Sequence, residues 1–333
     1  MRIFVEGPWW AGRWTDITVG TLQQLGHEAA CYYHNRKTPA DRLRLATGRL
    51  AHPFGMQATA WPTLARRHLN DRLADFRPDL LISIQGKLDP PTAKSLKQRF
   101  PDLGIVFWWG DILTPQGQQR IDQAATFADR ILVSYRGLYD KLVPQFGEQL
   151  LYFPFAATPQ FHTPGTMTAR DRRRLTADVA FVGTCYPERC ELLRYLNARL
   201  ETPVRVWGRG WRRCRGIRSH GPLPLADCMK VYANAKVTLN LHHRDTDNGC
   251  NMKFYEIPAA GGYQLCDWQP LLQDSAQGRL ATACRTPEEF LQRTRHALEH
   301  PDERVALAAR ASAQALTHET YETRFTYLLK HLY

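Results

Sequence analysis

No stretch of the chain reaches the roughly 20 consecutive apolar residues that a membrane-spanning helix requires, so no segment reads as a span. The opening residues Met1 to Glu6 run directly into a strand-like pattern. They lack the basic head, long apolar core and small-residue cleavage site of a signal peptide, and a cytoplasmic location is expected. Closely paired cysteines are missing too: Cys31, Cys185, Cys190, Cys214, Cys228, Cys250, Cys266 and Cys284 stand singly, with no C-x-x-C. That pattern signals neither a zinc knuckle nor a disulfide framework, and reduced thiols are expected. Internal repeats and low-complexity tracts are absent. Acidic residues are in deficit, 32 against 44 Lys and Arg, and the formal charge of +12 implies an anionic partner. Phosphorylated sugars, anionic lipid and nucleic acid all qualify.

What the chain does contain is an alternation of short apolar runs with helical patterns over 333 residues, enough for two domains of about 150 residues each. Strand-like runs occupy residues 2–6, 28–33, 79–84, 104–109 and 130–134, with a shorter apolar stretch at 150–155. Between about Thr163 and Thr176 large apolar side chains thin out and Arg170-Asp171-Arg172-Arg173-Arg174 appears, which places a boundary there. A second series of strands follows at 178–183, 204–208, 237–241 and 262–267, and helical patterns over 287–298, 303–314 and 320–332 end the chain. Unbroken apolar strands alternating with helices predict parallel sheets covered on both faces. The expected domains are therefore 1–163 and 176–315, two Rossmann-like doubly wound sheets whose strand C-termini face a shared crevice where ligands bind.

The richest chemistry lies between Asn240 and Gly262. A strand ends at Asn240 to His242, a polar Asp/Asn/Gly loop follows, and Asn251 can cap a short helix carrying Lys253 and Glu256. A helix start preceded by small polar residues offers free N–H groups and the positive end of a dipole, which suits a diphosphate. Lys253 in the first turn opposes that dipole and makes better sense facing a phosphate. Glu256, one turn on, can accept from both hydroxyls of a ribose. The bland alternative is an i, i+3 surface pair worth a few tenths of a kcal/mol.

This region resembles the C-terminal signature of the CgeB-like, group 1 glycosyltransferases. The resemblance rests on the run Asn251 to Gly262 with Asp267, on Asp178 to Thr184 with Pro187 and Arg189, and on Trp207-Gly208-Arg209-Gly210-Trp211. In the tail it rests on Thr286-Pro287-Glu288-Glu289, His300-Pro301-Asp302-Glu303-Arg304 and His318 to Arg324. It implies the GT-B fold, with two Rossmann-like domains about a central cleft and a final segment, 316–333, crossing back to the N-terminal domain. It also implies a nucleotide-diphosphate sugar as donor, a UDP sugar being the first guess, with no cofactor and no catalytic metal. Glu256 matches the family's ribose-binding glutamate, and Gly261 falls within the same signature. Lys253 stands where such proteins commonly carry Arg, so a point cation replaces a bidentate fork. Asn248 stands where the broader retaining families carry a second glutamate.

Other candidates come from the residues themselves. Gly183 ends a strand and Arg189 follows a short loop, so close backbone approach and neutralisation of a diphosphate are one reading; a turn glycine and a solvated arginine are the other. Gly208 to Trp211 can line a nucleobase slot, with Trp211 as stacking surface or as packing. Asp111 follows the apolar strand containing Trp108 and Trp109, either as the base for an acceptor hydroxyl or as the cap of the next helix. Gly7 and Gly12 form a glycine turn without the Lys-Ser/Thr of a P-loop, and Trp9, Trp10 and Trp14 suggest an aromatic wall for a sugar or lipid-linked acceptor. Of His242 and His243, one is expected to be structural and one to face the crevice. Arg205, Arg209, Arg212, Arg213, Arg215 and Arg218 either bind anionic lipid at the inner face of a membrane or are simply solvated.

The expected activity is transfer of a sugar, hexosyl or related, to a glycan, a lipid-linked glycan or a protein, in polysaccharide, lipopolysaccharide or protein-surface glycosylation. Two alternatives stand beside it. One is a nucleic-acid-binding protein, against which the spread of basic residues and the lack of a recognised module count, so no nucleic-acid partner is expected. The other is a GT-B fold serving as a non-catalytic binding subunit, which Asn248 keeps open.

Overall fold

The computed structural model describes residues 1–9, 13–42, 61–86, 88–273 and 275–332. It divides into two compact units, one built from residues 1–134, 138–153 and 332, the other from 135–137 and 154–331.

The first unit is a six-stranded sheet of β1 (Arg2–Gly7), β2 (Glu28–Tyr33), β3 (Leu80–Ile84), β4 (Gly104–Trp109), β5 (Arg130–Val133) and β6 (Leu150–Tyr152). Every pairing is parallel and the order is β2-β1-β3-β4-β5-β6. Strands β3 and β4 are almost wholly buried, as central strands of a parallel sheet must be. Helices begin where the sequence supplies Pro behind a capping side chain: Asp89 caps Pro90–Arg99 and Thr114 caps Pro115–Ala125. The core centres on Trp108, which meets Trp14 edge-on at 4.6 Å and Phe153 at 4.9 Å. Its indole N–H donates to Ser134 Oγ at 2.9 Å. Trp14 is thus a core residue, 2% exposed, and not part of an aromatic wall. Its helix, Trp14–Gln24, turns that ring inward against the sheet.

The second unit holds β7 (Ala177–Val182), β8 (Arg205–Trp207), β9 (Ala235–Asn240), β10 (Gln264–Asp267) and β11 (Thr282–Cys284), again all parallel, in the order β11-β10-β9-β7-β8. The two orders are the same pattern. Each sheet runs outward in opposite directions from its first strand, so each has a switch point, between β1 and β3 and between β7 and β9, where doubly wound sheets hold ligands. The last helix, Tyr321–Lys330, buries Tyr321, Phe325 and Leu328 and packs on residues 155–158, where Arg324 Nε donates to Phe155 O at 3.1 Å.

Two local features depart from the sequence reading. The arginine-rich stretch before Thr176 is a helix, Ala169–Leu175, started by a capping box between Thr168 and Asp171; its charges hide a short but well-defined element. Cys190 and Cys214 form a disulfide with Cα atoms 5.7 Å apart, contrary to the expectation of eight separate thiols. One lies on the helix Pro187–Asn197 after β7 and the other on the turn after the neighbouring β8, so sheet pairing joins residues that local spacing keeps apart.

Candidate functional site

The second unit's switch point is built from the ends of β7 and β9. Arg189, near the start of its helix and only 5% exposed, bridges them: Nη1 donates to Thr184 O at 3.0 Å and Nη2 to Leu241 O at 2.5 Å. The reading of a solvated arginine does not hold. Among the described residues its Nε, buried, has no hydrogen-bond partner and no carboxylate pairs with it, and burial lowers its affinity for its proton. Gly183 follows β7, and a Cβ there would come within 3.0 Å of Phe181 and 3.4 Å of Lys253 Nζ. Gly208, at φ +142°, approaches more closely still, since a Cβ on it would stand 1.9 Å from Gly183 O. Only glycine fits there.

Facing this turn is the helix Met252–Ala259. Asn251 caps it by accepting from Phe254 N at 3.1 Å, as the residue pattern predicts. A chain of amides holds that helix start: Asn251 Nδ2 donates to Asn240 Oδ1 at 3.0 Å and Asn240 Nδ2 to Gln264 Oε1 at 3.3 Å. Gln264 Nε2 then donates to Phe254 O at 2.7 Å and Leu280 O at 3.0 Å. Asn240 and Asn251 therefore act through the helix they position. Gln264 has no local signature, and only the pairing of β9 with β10 brings it to Asn240.

Lys253 and Glu256 project from the first turns of this helix. Glu256 is 5% exposed, yet its carboxylate accepts no hydrogen bond from any described residue. Burial raises its pKa from 4.5 to about 7 despite the opposing Lys253 charge. Burial, and next the Arg189 charge, lower Lys253 to about 8. Two cations, Arg189 buried and Lys253 half-buried, and the buried carboxylate of Glu256, with no ion pair among them or to other described residues, leave a net positive charge at a helix start. Such a place favours an anion with hydroxyls nearby.

The remaining sequence candidates lie around this centre or apart from it. His242 is buried; its Nδ1 lies 2.9 Å from Asp267 Oδ1, which also accepts from the His242 amide at 2.8 Å, while Nε2 has no partner among the described residues. Trp211 is 3% exposed, packs edge-on against Phe181 at 5.6 Å and donates to Gly183 O at 2.9 Å, so its indole supports the glycine turn from within the core. Gly261, at φ +84°, stops the helix at its far end, about 15 Å from Asn251 at 1.5 Å per residue. Asn248 adopts φ 42° and its Oδ1 accepts from Leu271 N at 2.6 Å, which commits its side chain to holding the loop.

In the first unit a cavity of about 580 Å³ opens at the ends of β1 to β4, lined among others by Glu6, Tyr32, His34, Gln85, Trp109 and Asp111. Glu6, 1% exposed, meets His34 Nδ1 at 2.6 Å through one oxygen and accepts from Ser83 Oγ at 2.7 Å through the other. The sequence reading missed this group, whose members stand 28 and 77 residues from Glu6. Asp111 is exposed at the cavity and receives its own loop's Ile112 N at 2.9 Å; the next helix is capped by Thr114 instead. A Cβ on Gly7 would lie 2.4 Å from Thr15 Oγ1, so this glycine admits the following helix. Trp9 is 52% exposed with the Arg36 guanidinium 5.4 Å from its ring, whereas Trp10 and Gly12 lie outside the described residues.

Residues 189–330 match the family model described as glycosyl transferase-like. That span begins at Arg189 and contains Asn240, Asn251, Lys253 and Glu256. No curated protein sequence matches the chain. Among solved structures, HepE of Anabaena in complex with UDP-glucose superposes with TM-score 0.66 at 11% identity, covering 99% of each chain. Sucrose-phosphate synthase of Thermosynechococcus elongatus gives 0.61 at 11% identity over 99% of this chain and 98% of its own. A glycosyltransferase of Rickettsia africae gives 0.59 at 7% identity over 99% and 97%. These likenesses establish a GT-B fold for the chain, and the glycosyl transferase-like segment holds Arg189, Lys253 and Glu256.

Proposed function

We propose that the protein transfers a sugar from a nucleoside-diphosphate donor, a UDP sugar first, to a hydroxyl of a glycan, a lipid-linked glycan or a protein. The observation that carries this reading is the Glu256 carboxylate, buried and without a donor among the described residues, one helical turn from Lys253. Vicinal ribose hydroxyls supply two donors to such a carboxylate, and a diphosphate answers the surplus charge of Arg189 and Lys253 at the capped helix start. Cationic side chains and the helix dipole then meet the charge of the departing nucleotide, and no metal ion is required. The signature residues from Asn251 to Gly262 support a place near the CgeB-like group. HepE, of like fold, was solved with UDP-glucose, which supports UDP as the first nucleotide to try. Acceptor recognition is assigned to the first unit's cavity, with Asp111 as candidate base.

Calorimetric titration with UDP in the presence of EDTA tests this directly. Wild type is expected to bind, and Glu256→Gln to lose about 1.5–3 kcal/mol, the range for hydrogen bonds with a charged partner. Inorganic pyrophosphate, which lacks a ribose, should bind both proteins equally. Equal UDP affinity for the two proteins, or binding that disappears with EDTA, would remove the basis of the proposal.

A further inference from the structure

The segment between Gly208 and Gly221 is not explained by donor binding alone. We propose that it is a rigid basic ridge that docks the protein on the anionic phospholipid headgroups of a bilayer. From Thr202 to Ala226 there is no acidic residue, while the same stretch holds Arg205, Arg209, Arg212, Arg213, Arg215 and Arg218. All but Arg205 are exposed, and none of those five has an ion-pair partner among the described residues. Half of the formal charge of +12, six of twelve, is equalled by this one segment.

The ridge is built and not merely solvated. Its ends meet, with Gly208 N donating to Gly221 O at 2.9 Å and Ser219 Oγ to Gly208 O at 2.9 Å. Every third residue is an anchor: Trp211, Cys214 and Ile217 are buried at 3%, 4% and 8% exposure. The Cys190–Cys214 disulfide adds a covalent tie. Successive turns, Cys214 N to Trp211 O at 3.0 Å and Ile217 N to Cys214 O at 3.2 Å, keep the intervening arginines outward. At the base, Arg205 is consumed internally, donating to Thr176 O at 2.7 Å and Arg173 O at 3.2 Å. A backbone fixed in advance loses little freedom when its side chains meet phosphates.

The chemistry selects the partner. The ridge has no exposed Phe, Tyr, Trp, Leu, Ile or Met to insert among acyl chains, so contact is superficial and electrostatic. It has no exposed Asn or Gln and no helix longer than the three-residue turn Trp211–Arg213, so nothing in it can enter a duplex groove and read base edges. A plane of phosphodiester headgroups asks only for outward guanidinium groups. The inference stands independently of the sugar-transfer reading.

The test is co-sedimentation of the full chain with vesicles of phosphatidylcholine alone or with about one third phosphatidylglycerol, a level that gives a negative surface potential. Wild type should partition onto the anionic vesicles only and be released by high salt. Arg212→Glu/Arg213→Glu/Arg215→Glu/Arg218→Glu should lower the partition coefficient at least about tenfold, the loss expected from reversing several surface cations. Arg215→Glu/Arg218→Glu, away from the donor loops, should give a smaller loss in the same direction with an unchanged melting temperature. Equal partition onto neutral and anionic vesicles, or full retention by both variants, overturns the proposal. Tighter binding to a DNA duplex than to the anionic vesicles at equal salt overturns the choice of lipid.

Discussion

The two sheets share a strand order but differ in how they treat buried charge. In the first unit Glu6 is closed between His34 and Ser83, and Asp41 accepts from Thr38 and meets His68 at 2.8 Å. In the second, Glu256, Lys253 and the Nε of Arg189 meet no partner among the described residues. Burying a charge is costly unless it is paired. The second unit pairs its other buried carboxylates, Glu319 with Arg324 at 2.6 Å and Asp171 with Lys230 at 2.9 Å, so the energetic deficit is confined to this one cluster, where a complementary ligand can remove it. The contrast sets side chains paired within the fold apart from those that the proposal gives to the donor.

The comparison is tested most severely at Gly208. A methyl group there meets Gly183 O at a conformation that L-residues avoid, so Gly208→Ala should destabilise the second unit by at least about 3 kcal/mol, overpacking and backbone strain together. A calorimetric trace in which wild-type stability persists would show that this turn is not rigid. Glu6→Gln comes next. It should cost about 1–3 kcal/mol, because it places an amide where two groups meet a carboxylate, yet leave UDP affinity unchanged. Loss of nucleotide binding would blur the division between the halves.

Glu256→Gln should do the reverse and raise the melting temperature of the free protein. The folded-state pKa of about 7 lies above the unfolded value of 4.5, so ionisation penalises the folded state. The penalty is absent below the unfolded pKa, grows between the two values and is complete above pH 7. The gain from Gln should therefore be a few degrees at pH 8 and vanish at pH 4, a melting series that distinguishes a strained carboxylate from a surface one. Smallest is the pH dependence of UDP binding. Affinity should fall as pH rises through the Lys253 value of about 8, by at most about tenfold per pH unit for one proton. Lys253→Arg keeps its charge and should flatten that limb.

The fold class could be read from the chain because parallel strands are marked by their own residues: Leu80 to Ile84 and Gly104 to Trp109 are apolar throughout and are strands. Asn251 and the three-residue spacing of Lys253 and Glu256 were equally legible, since capping and helical period are local. What could not be read depends on strands being neighbours. Glu6 meets His34 because β1 pairs with β2, and Gln264 reaches Asn240 because β10 pairs with β9. The disulfide belongs to the same class. Trp14 departs from its expected place for another reason: an aromatic residue after a glycine turn fits a binding wall or a core equally well, and only the direction of its helix decides.

The run of amides from Gln264 through Asn240 to Asn251 has a consequence for how the site answers its surroundings. All three side chains are uncharged and titrate nowhere near neutrality. Protons added or removed around pH 7 to 8 therefore change the charges on Glu256 and Lys253 without loosening the mounting that carries them. The instrument's dial turns while its bracket stays fixed.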